Sequence, residues 1–180
     1  MSIDIMLEFL DKLYIVASKF FLGTMIRRVS MRVLFVCNAN IVRSFMAERI
    51  LRNRLKGRAA PAPSVSSAGL LDMNGAPADP MARLILRENG IDDESHRSRL
   101  LTEEIVSDAD LIITMEAVQL TTIEKRFPES RKTLRVLKSY LTDYDPQDGD
   151  IADPYRRSAF HYRLCFAEIT LCVEAMIPCI

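Results

Sequence analysis

The sequence predicts an α/β fold, a single doubly wound domain whose four-stranded parallel sheet carries helices on both faces. Three observations predict it. Short apolar runs at Val33–Val36 and Leu111–Thr114 suit strands buried on both faces. Stretches with helical spacing separate them. Punctuation falls between the two, as at Asp79-Pro80, an N-cap followed by proline at the first helical position, and at Gly90, a helix stop.

Taken in order, Arg32–Val36 is the first strand, and it runs into Cys37-Asn38-Ala39-Asn40-Ile41-Val42-Arg43-Ser44. A helix follows, with Met46, Ala47, Ile50, Leu51 and Leu55 on its inner side and Arg49, Arg52, Asn53 and Lys56 on its outer side. Ser64–Ala68 is the second strand, Leu111–Thr114 the third and Leu134–Leu137 the fourth. A last helix runs from about Ser158 to Met176 with Cys165, Ile169, Cys172, Val173 and Met176 on its inner stripe. Strands alternating with helices imply parallel pairing, with ligands bound outside the carboxyl ends of the strands. The segment from Cys37 to Ser44 lies at that end.

The domain is expected over residues 31–180. Residues 1–30 form an amphipathic segment, with Ile3, Met6, Phe9, Leu10, Leu13, Val16, Ala17 and Phe20 at helical spacing. Its charges make it a poor membrane span, and it lacks the marks of a signal peptide. It reads as a helix on the body, as a membrane or partner contact, or as sequence upstream of a true start at Met31. The last reading is favoured, because the α/β pattern begins directly after Met31.

Composition narrows the chemistry. The 180 residues fit one domain, and 24 basic against 24 acidic residues give no argument for a nucleic-acid partner. The stretch from Arg27 to Arg58 is basic, with Glu48 its only acid. Asp143, Asp145, Asp148, Asp150 and Asp153 crowd a stretch without a basic residue. Cys37, Cys165, Cys172 and Cys179 form no disulfide framework, and with two histidines a metal site is not expected. A reducing, cytoplasmic setting is the simplest inference. The three later cysteines recur every seven residues, ~10.5 Å apart on a helix and too far for a disulfide, so they are read as core.

The loop after the first strand is the chemical candidate. Backbone N–H groups between a buried strand and a helix start converge on one point, where the helix dipole adds positive character. A cysteine there has a stabilised thiolate and can act as a nucleophile. Arg43 can hold two oxygens of a phosphoryl group with its planar fork, and Ser44 can donate to the thiolate. Buried structural cysteine is the competing reading for Cys37. For Asp153, followed by Pro154, the plain reading is a helix N-cap and the chemical one is an acid; the two can coexist.

The segment Val36–Ser44 with Ala47-Glu48 resembles the phosphate loop of the low-molecular-weight protein tyrosine phosphatases. The resemblance spans Met31–Ile177 and includes Ser67-Ala68-Gly69, Gly75 with Pro77, His96, Ala109–Ile112 and Asp153-Pro154-Tyr155, in the family's order and nearest its bacterial members. It implies that Cys37 attacks phosphorus and that Arg43 and the loop N–H groups from Asn38 to Val42 hold the phosphoryl oxygens. Ser44 would favour the thiolate, and Asp153 would serve as general acid and then base. Asn40, Ser67 and His96 would keep the loop in shape, and Tyr155 would wall the pocket. It implies no cofactor or metal, and a phosphotyrosine protein as substrate, with a bacterial tyrosine kinase of polysaccharide export as one candidate.

Four positions depart from the family pattern: Ala39 for glycine, Val42 for a common second cysteine, Phe45 for a frequent proline, and Met73 where many members carry an aromatic. An alanine at a positive φ would be a handicap, so Ala39→Gly is expected to raise activity. Two other functions compete: a thiol-dependent arsenate reductase, which would need a relay of cysteines near the site, and a phosphate-binding module with weakened catalysis.

Overall fold

The computed structural model describes residues 30–58, 61–92, 95–128 and 133–180. The expectations for the amphipathic segment fall almost wholly on residues 1–29 and lie outside the described residues.

From Met31 the chain forms one compact unit. Strand β1 (Arg32–Cys37) leads into helix α1 (Arg43–Leu55), then β2 (Ser64–Gly69), α2 (Pro80–Glu88), α3 (Glu103–Asp108), β3 (Leu111–Thr114), α4 (Ala117–Arg126) and β4 (Thr133–Val136). Short 3-10 turns at Leu137–Tyr140 and Pro146–Asp148 precede α5 (Ala159–Met176), and another follows at Ile177–Cys179. All pairings are parallel, in the order β2-β1-β3-β4. In register, Cys37 faces Gly69 across β1 and β2, and Val36 faces both Ala68 and Thr114.

Side chains alternate across β1, and the two faces feed two cores. Val33, Phe35 and Cys37 pack with buried residues of α1, α2 and α5, including Met46, Ile50, Ile85, Ile169 and Val173. Leu34 and Val36 pack with Ala68, Val106 of α3, Ile112 and Ile123 of α4. Helices thus cover both faces, which is why the strands read as continuous apolar runs. The Asp79 cap is present: its Oδ1 accepts from the Met81 and Ala82 backbone N–H groups at 2.9 and 3.2 Å.

The structure corrects several local expectations. Arg49 is buried rather than outward-facing, its guanidinium carbon 5.5 Å from the Phe45 ring centroid. A long arginine stem can pack on an aromatic face where a helix wheel places it at the boundary. Leu137 begins a 3-10 turn, so β4 ends at Val136. Cys165 and Cys172 are core, but Cys179 is exposed, because it sits in the turn past the end of α5 and leaves the helical stripe. Helix α5 starts at Ala159 after Ser158, so Asp153 lies upstream of it and is not its N-cap.

Candidate functional site

The loop between β1 and α1 is held from within by Asn40. Its backbone adopts φ +56°, a region that asparagine tolerates better than most residues. Its amide is fully used: Nδ2 donates to Ser44 Oγ at 3.0 Å and to Ser67 Oγ at 2.8 Å, and Oδ1 accepts from the Arg99 backbone N–H at 3.1 Å. Ser67 in turn donates to the Glu48 carboxylate. With Asn40 donating to Ser44, the serine's own hydrogen is left for the Cys37 sulfur, 3.0 Å away. The Asn40 backbone N–H also points at that sulfur, at 3.3 Å. His96 Nε2 donates to the Asn40 carbonyl at 2.6 Å.

Neighbouring strands press the loop into place. Leu70 and Leu71 donate backbone N–H groups to the Cys37 and Asn38 carbonyls at 3.0 and 2.9 Å. A Cβ on Gly69 would lie 2.8 Å from the Asn38 carbonyl oxygen, so only glycine allows this approach. Phe45, fully buried, packs against His96 with ring centroids 4.5 Å apart and the rings tilted by 43°. That gives the residue standing in for proline a packing role behind the loop. Ala39 is absent from the positive-φ residues, so alanine is not strained there and its reading as a handicap falls.

Helix α1 opens at Val42 without a side-chain cap, whereas Asp79 caps α2 and Thr102 caps α3. Its first turn also carries no acid. The N-terminal N–H groups and dipole are therefore left facing the Cys37 loop, the arrangement that binds anions.

Arg43 projects from that first turn with only 2% of its side chain exposed. One terminal nitrogen donates to the Ile151 carbonyl at 2.9 Å and to Glu116, and the other donates to Asp153 Oδ2 at 2.6 Å. Burial works against its charge. Cys37, Asp153 and Glu116 outweigh that and hold the guanidinium firmly protonated. Asp153 Oδ1 accepts from the Tyr155 backbone N–H at 3.1 Å, which closes a small turn and leaves Tyr155 exposed beside the carboxylate.

The sequence-derived set thus comes together. Cys37, Asn38, Ala39, Asn40, Ile41, Val42, Arg43 and Ser44 form one loop and helix start, Ser67 and His96 brace Asn40, and Arg43 links the loop to Asp153, next to Tyr155. Two residues escaped the sequence reading. Glu116 pairs with Arg43 from across the sheet. Gln119 accepts from the Met115 N–H at 3.0 Å and donates to Asn38 Oδ1 at 3.4 Å. Neither has a local motif; the position of Glu116 just after β3, at the carboxyl end of the sheet, was the available signal.

None of the remaining cysteines is bonded to Cys37. Burial raises Cys165 to about 12 and Cys172 to about 11, so both are neutral thiols in the core.

A thiol, a buried guanidinium and a carboxylate around an uncapped helix start on a parallel sheet define a cysteine-based anion site of the phosphatase type. Comparison with known proteins is specific. Residues 32–178 match the low molecular weight phosphotyrosine protein phosphatase family, and the chain belongs to it. It is 38% identical over 146 residues to a probable low molecular weight protein-tyrosine-phosphatase EpsP of Ralstonia nicotianae, covering 81% of this chain and 93% of that protein. It is 33% identical over 145 residues to a protein-arginine-phosphatase of Geobacillus stearothermophilus, covering 81% and 93%. Among solved structures, the low molecular weight protein tyrosine phosphatase of T. tengcongensis superposes with a TM-score of 0.76 at 32% identity, covering 84% of this chain and all of that one.

Proposed function

We propose that this protein hydrolyses phosphotyrosine in protein substrates through a phosphocysteine intermediate. The observation that carries this reading is the Arg43 guanidinium, which joins the loop around Cys37 directly to Asp153. Nucleophile, oxyanion cation and proton donor then surround one point.

In the first step the Cys37 sulfur attacks phosphorus and forms the S–P bond. The P–O bond to the tyrosine ring breaks, and Asp153 gives its proton to the departing phenolate. Charge on the equatorial oxygens is met by Arg43, the α1 dipole and the loop N–H groups from Asn38 to Val42. In the second step Asp153 takes a proton from water. The resulting hydroxide attacks phosphorus, the S–P bond breaks, and Ser44 stabilises the returning thiolate. Tyr155 walls the pocket beside the acid. The phosphorylated partner is a protein, and a bacterial tyrosine kinase of polysaccharide export is the candidate to test first. We place the protein in the cytoplasm; no helix among the described residues is long and apolar enough to cross a membrane.

The similarity to a protein-arginine-phosphatase supports a second reading, with phosphoarginine as substrate. One experiment tests both. Purified enzyme is given phosphotyrosine and phosphoarginine peptides, beside Cys37→Ser and a quenched reaction examined by intact mass. A phosphocysteine adduct at Cys37, formed preferentially from phosphotyrosine and absent in Cys37→Ser, is the expected result. Faster turnover of phosphoarginine would replace the substrate assignment, and turnover by Cys37→Ser would remove the mechanism.

A further inference from the structure

The turn that carries the proposed acid continues through Tyr155, Arg156 and Arg157, and Arg156 has an unusual backbone. Its φ is +61°, and the other non-glycine residues at positive φ among those described are Asn40 and Asn74. Asparagine visits this region readily, but an arginine there needs support from its surroundings.

The support is visible. Arg157 N–H donates to the Pro154 carbonyl at 2.8 Å, and Tyr155 N–H is tied to Asp153 at 3.1 Å. From beneath, the buried Tyr162 faces the Arg156 backbone and the Asp79 carboxylate. Burial first, and then Asp79, push its phenol up to about 12, so it stays a neutral hydroxyl. The turn is fixed at both ends and from below.

This backbone places the Arg156 guanidinium carbon 5.3 Å from the centroid of the Tyr155 ring. A guanidinium so stacked is held by the ring face while its N–H edge points away from it. Arg156 and Arg157 are both exposed, and neither guanidinium pairs with a carboxylate among the described residues. Two unneutralised cations thus sit three and four positions beyond the carboxylate that faces the leaving group.

We propose that Arg156, with Arg157 beside it, is a specificity element that binds an acidic side chain flanking the phosphotyrosine of a protein substrate. This rests on the phosphotyrosine reading above. A peptide whose leaving oxygen meets Asp153 and whose ring lies along Tyr155 must carry its neighbouring residues past this turn. A carboxylate there can accept from the presented guanidinium edge. Arg156 acts on binding of the peptide and takes no part in the bond changes.

Two phosphotyrosine peptides that differ only in flanking Glu against Gln separate charge from shape, and phenyl phosphate reports on the chemistry alone. Arg156→Gly removes the cation but suits the positive φ, and Arg156→Lys keeps the cation. The wild-type enzyme is expected to favour the Glu peptide in kcat/KM by about two- to fivefold, chiefly through KM and less at high salt. Arg156→Gly should abolish the preference and leave phenyl phosphate turnover within about twofold, while Arg156→Lys retains most of the preference. Equal kcat/KM on both peptides with wild-type enzyme, or an undiminished preference in an Arg156→Gly/Arg157→Ala double variant, overturns this proposal alone. Turnover of phenyl phosphate with neither peptide hydrolysed overturns the phosphotyrosine reading and this proposal with it.

Discussion

The two halves of the site are built in opposite ways. Around Cys37, nearly every polar group has a fixed partner and the side chains are buried, with Asn40 and Ser44 fully enclosed and Ser67 nearly so. Around Asp153, the carboxylate is 44% exposed and is held by one arginine and one backbone N–H. The difference suits the tasks proposed for the two halves. An anion cradle stabilises charge best when its donors need no reorganisation. A group that must give and then take a proton has to remain in touch with water and with a leaving group that departs.

The widest test of this contrast is at the exposed half. Asp153→Asn should slow hydrolysis of aryl phosphates with basic leaving groups by ~10²–10⁴-fold and barely affect those with acidic ones. A uniform loss across substituted phenyl phosphates would mean that Asp153 serves Arg43 instead of the leaving oxygen. At the buried half, Gly69→Ala forces a methyl group against the Asn38 carbonyl, at 2.8 Å before relaxation. Turnover should drop at least tenfold on the order of 1.4 kcal/mol of displaced transition-state contacts, with vanadate binding weakened in parallel. Unchanged kinetics would show that the cradle is softer than its hydrogen bonds suggest.

Ala39→Gly sharpens the contrast from the other side. Since Ala39 is not at positive φ, glycine relieves nothing and adds freedom to the unfolded chain. Activity close to that of the parent is expected, with folding stability lower by about 0.4–1 kcal/mol. A clear gain would restore the expectation that alanine at this position is a handicap.

The smallest effect concerns pH. Burial lowers the pKa of His96 from its ordinary 6.5, partly opposed by its bond to the Asn40 carbonyl and by Glu48, while Arg49 and Arg99 act in the same direction as burial. Above 6.5 the ring is neutral in both folded and unfolded chains, and its contribution to stability is complete. As pH falls below 6.5 the unfolded chain takes the proton first, so stability declines until the lower folded pKa is passed. Thermal unfolding should therefore come at a lower temperature at pH 5 than at pH 7, and His96→Asn should flatten that slope. An identical slope in the variant would assign the pH dependence to other groups.

How much of this was legible in the sequence depended on distance along the chain. The Cys37–Ser44 loop could be read because strand, loop and helix start are contiguous, and each residue type has a chemical use there. Glu116 could not, since its link to Arg43 joins positions on either side of β2 and β3. Helices α3 and α4 also passed unread. In α4 only Gln119 and Ile123 are buried, so its apolar stripe is too thin to show a period, although Thr102 before α3 is a capping residue whose side chain accepts from Ile105 N–H at 3.4 Å. Arg49 and Cys179 were misplaced because periodicity describes a regular helix and neither a stacked guanidinium nor a terminal turn obeys it.

The strand order has a consequence for how the protein is made. β1 is central, yet its partners come later: Val33 pairs with Val65 and then with Leu111, while Arg43 finds Asp153 only near the end of the chain. Such distant pairings require large loops to close before they are rewarded, which slows folding. During that interval the Cys37 thiol lacks the shelter it has in the finished fold, where it is 3% exposed. Its labelling by a thiol reagent during refolding is therefore a clock for completion of the sheet, read at the same atom proposed above as the nucleophile.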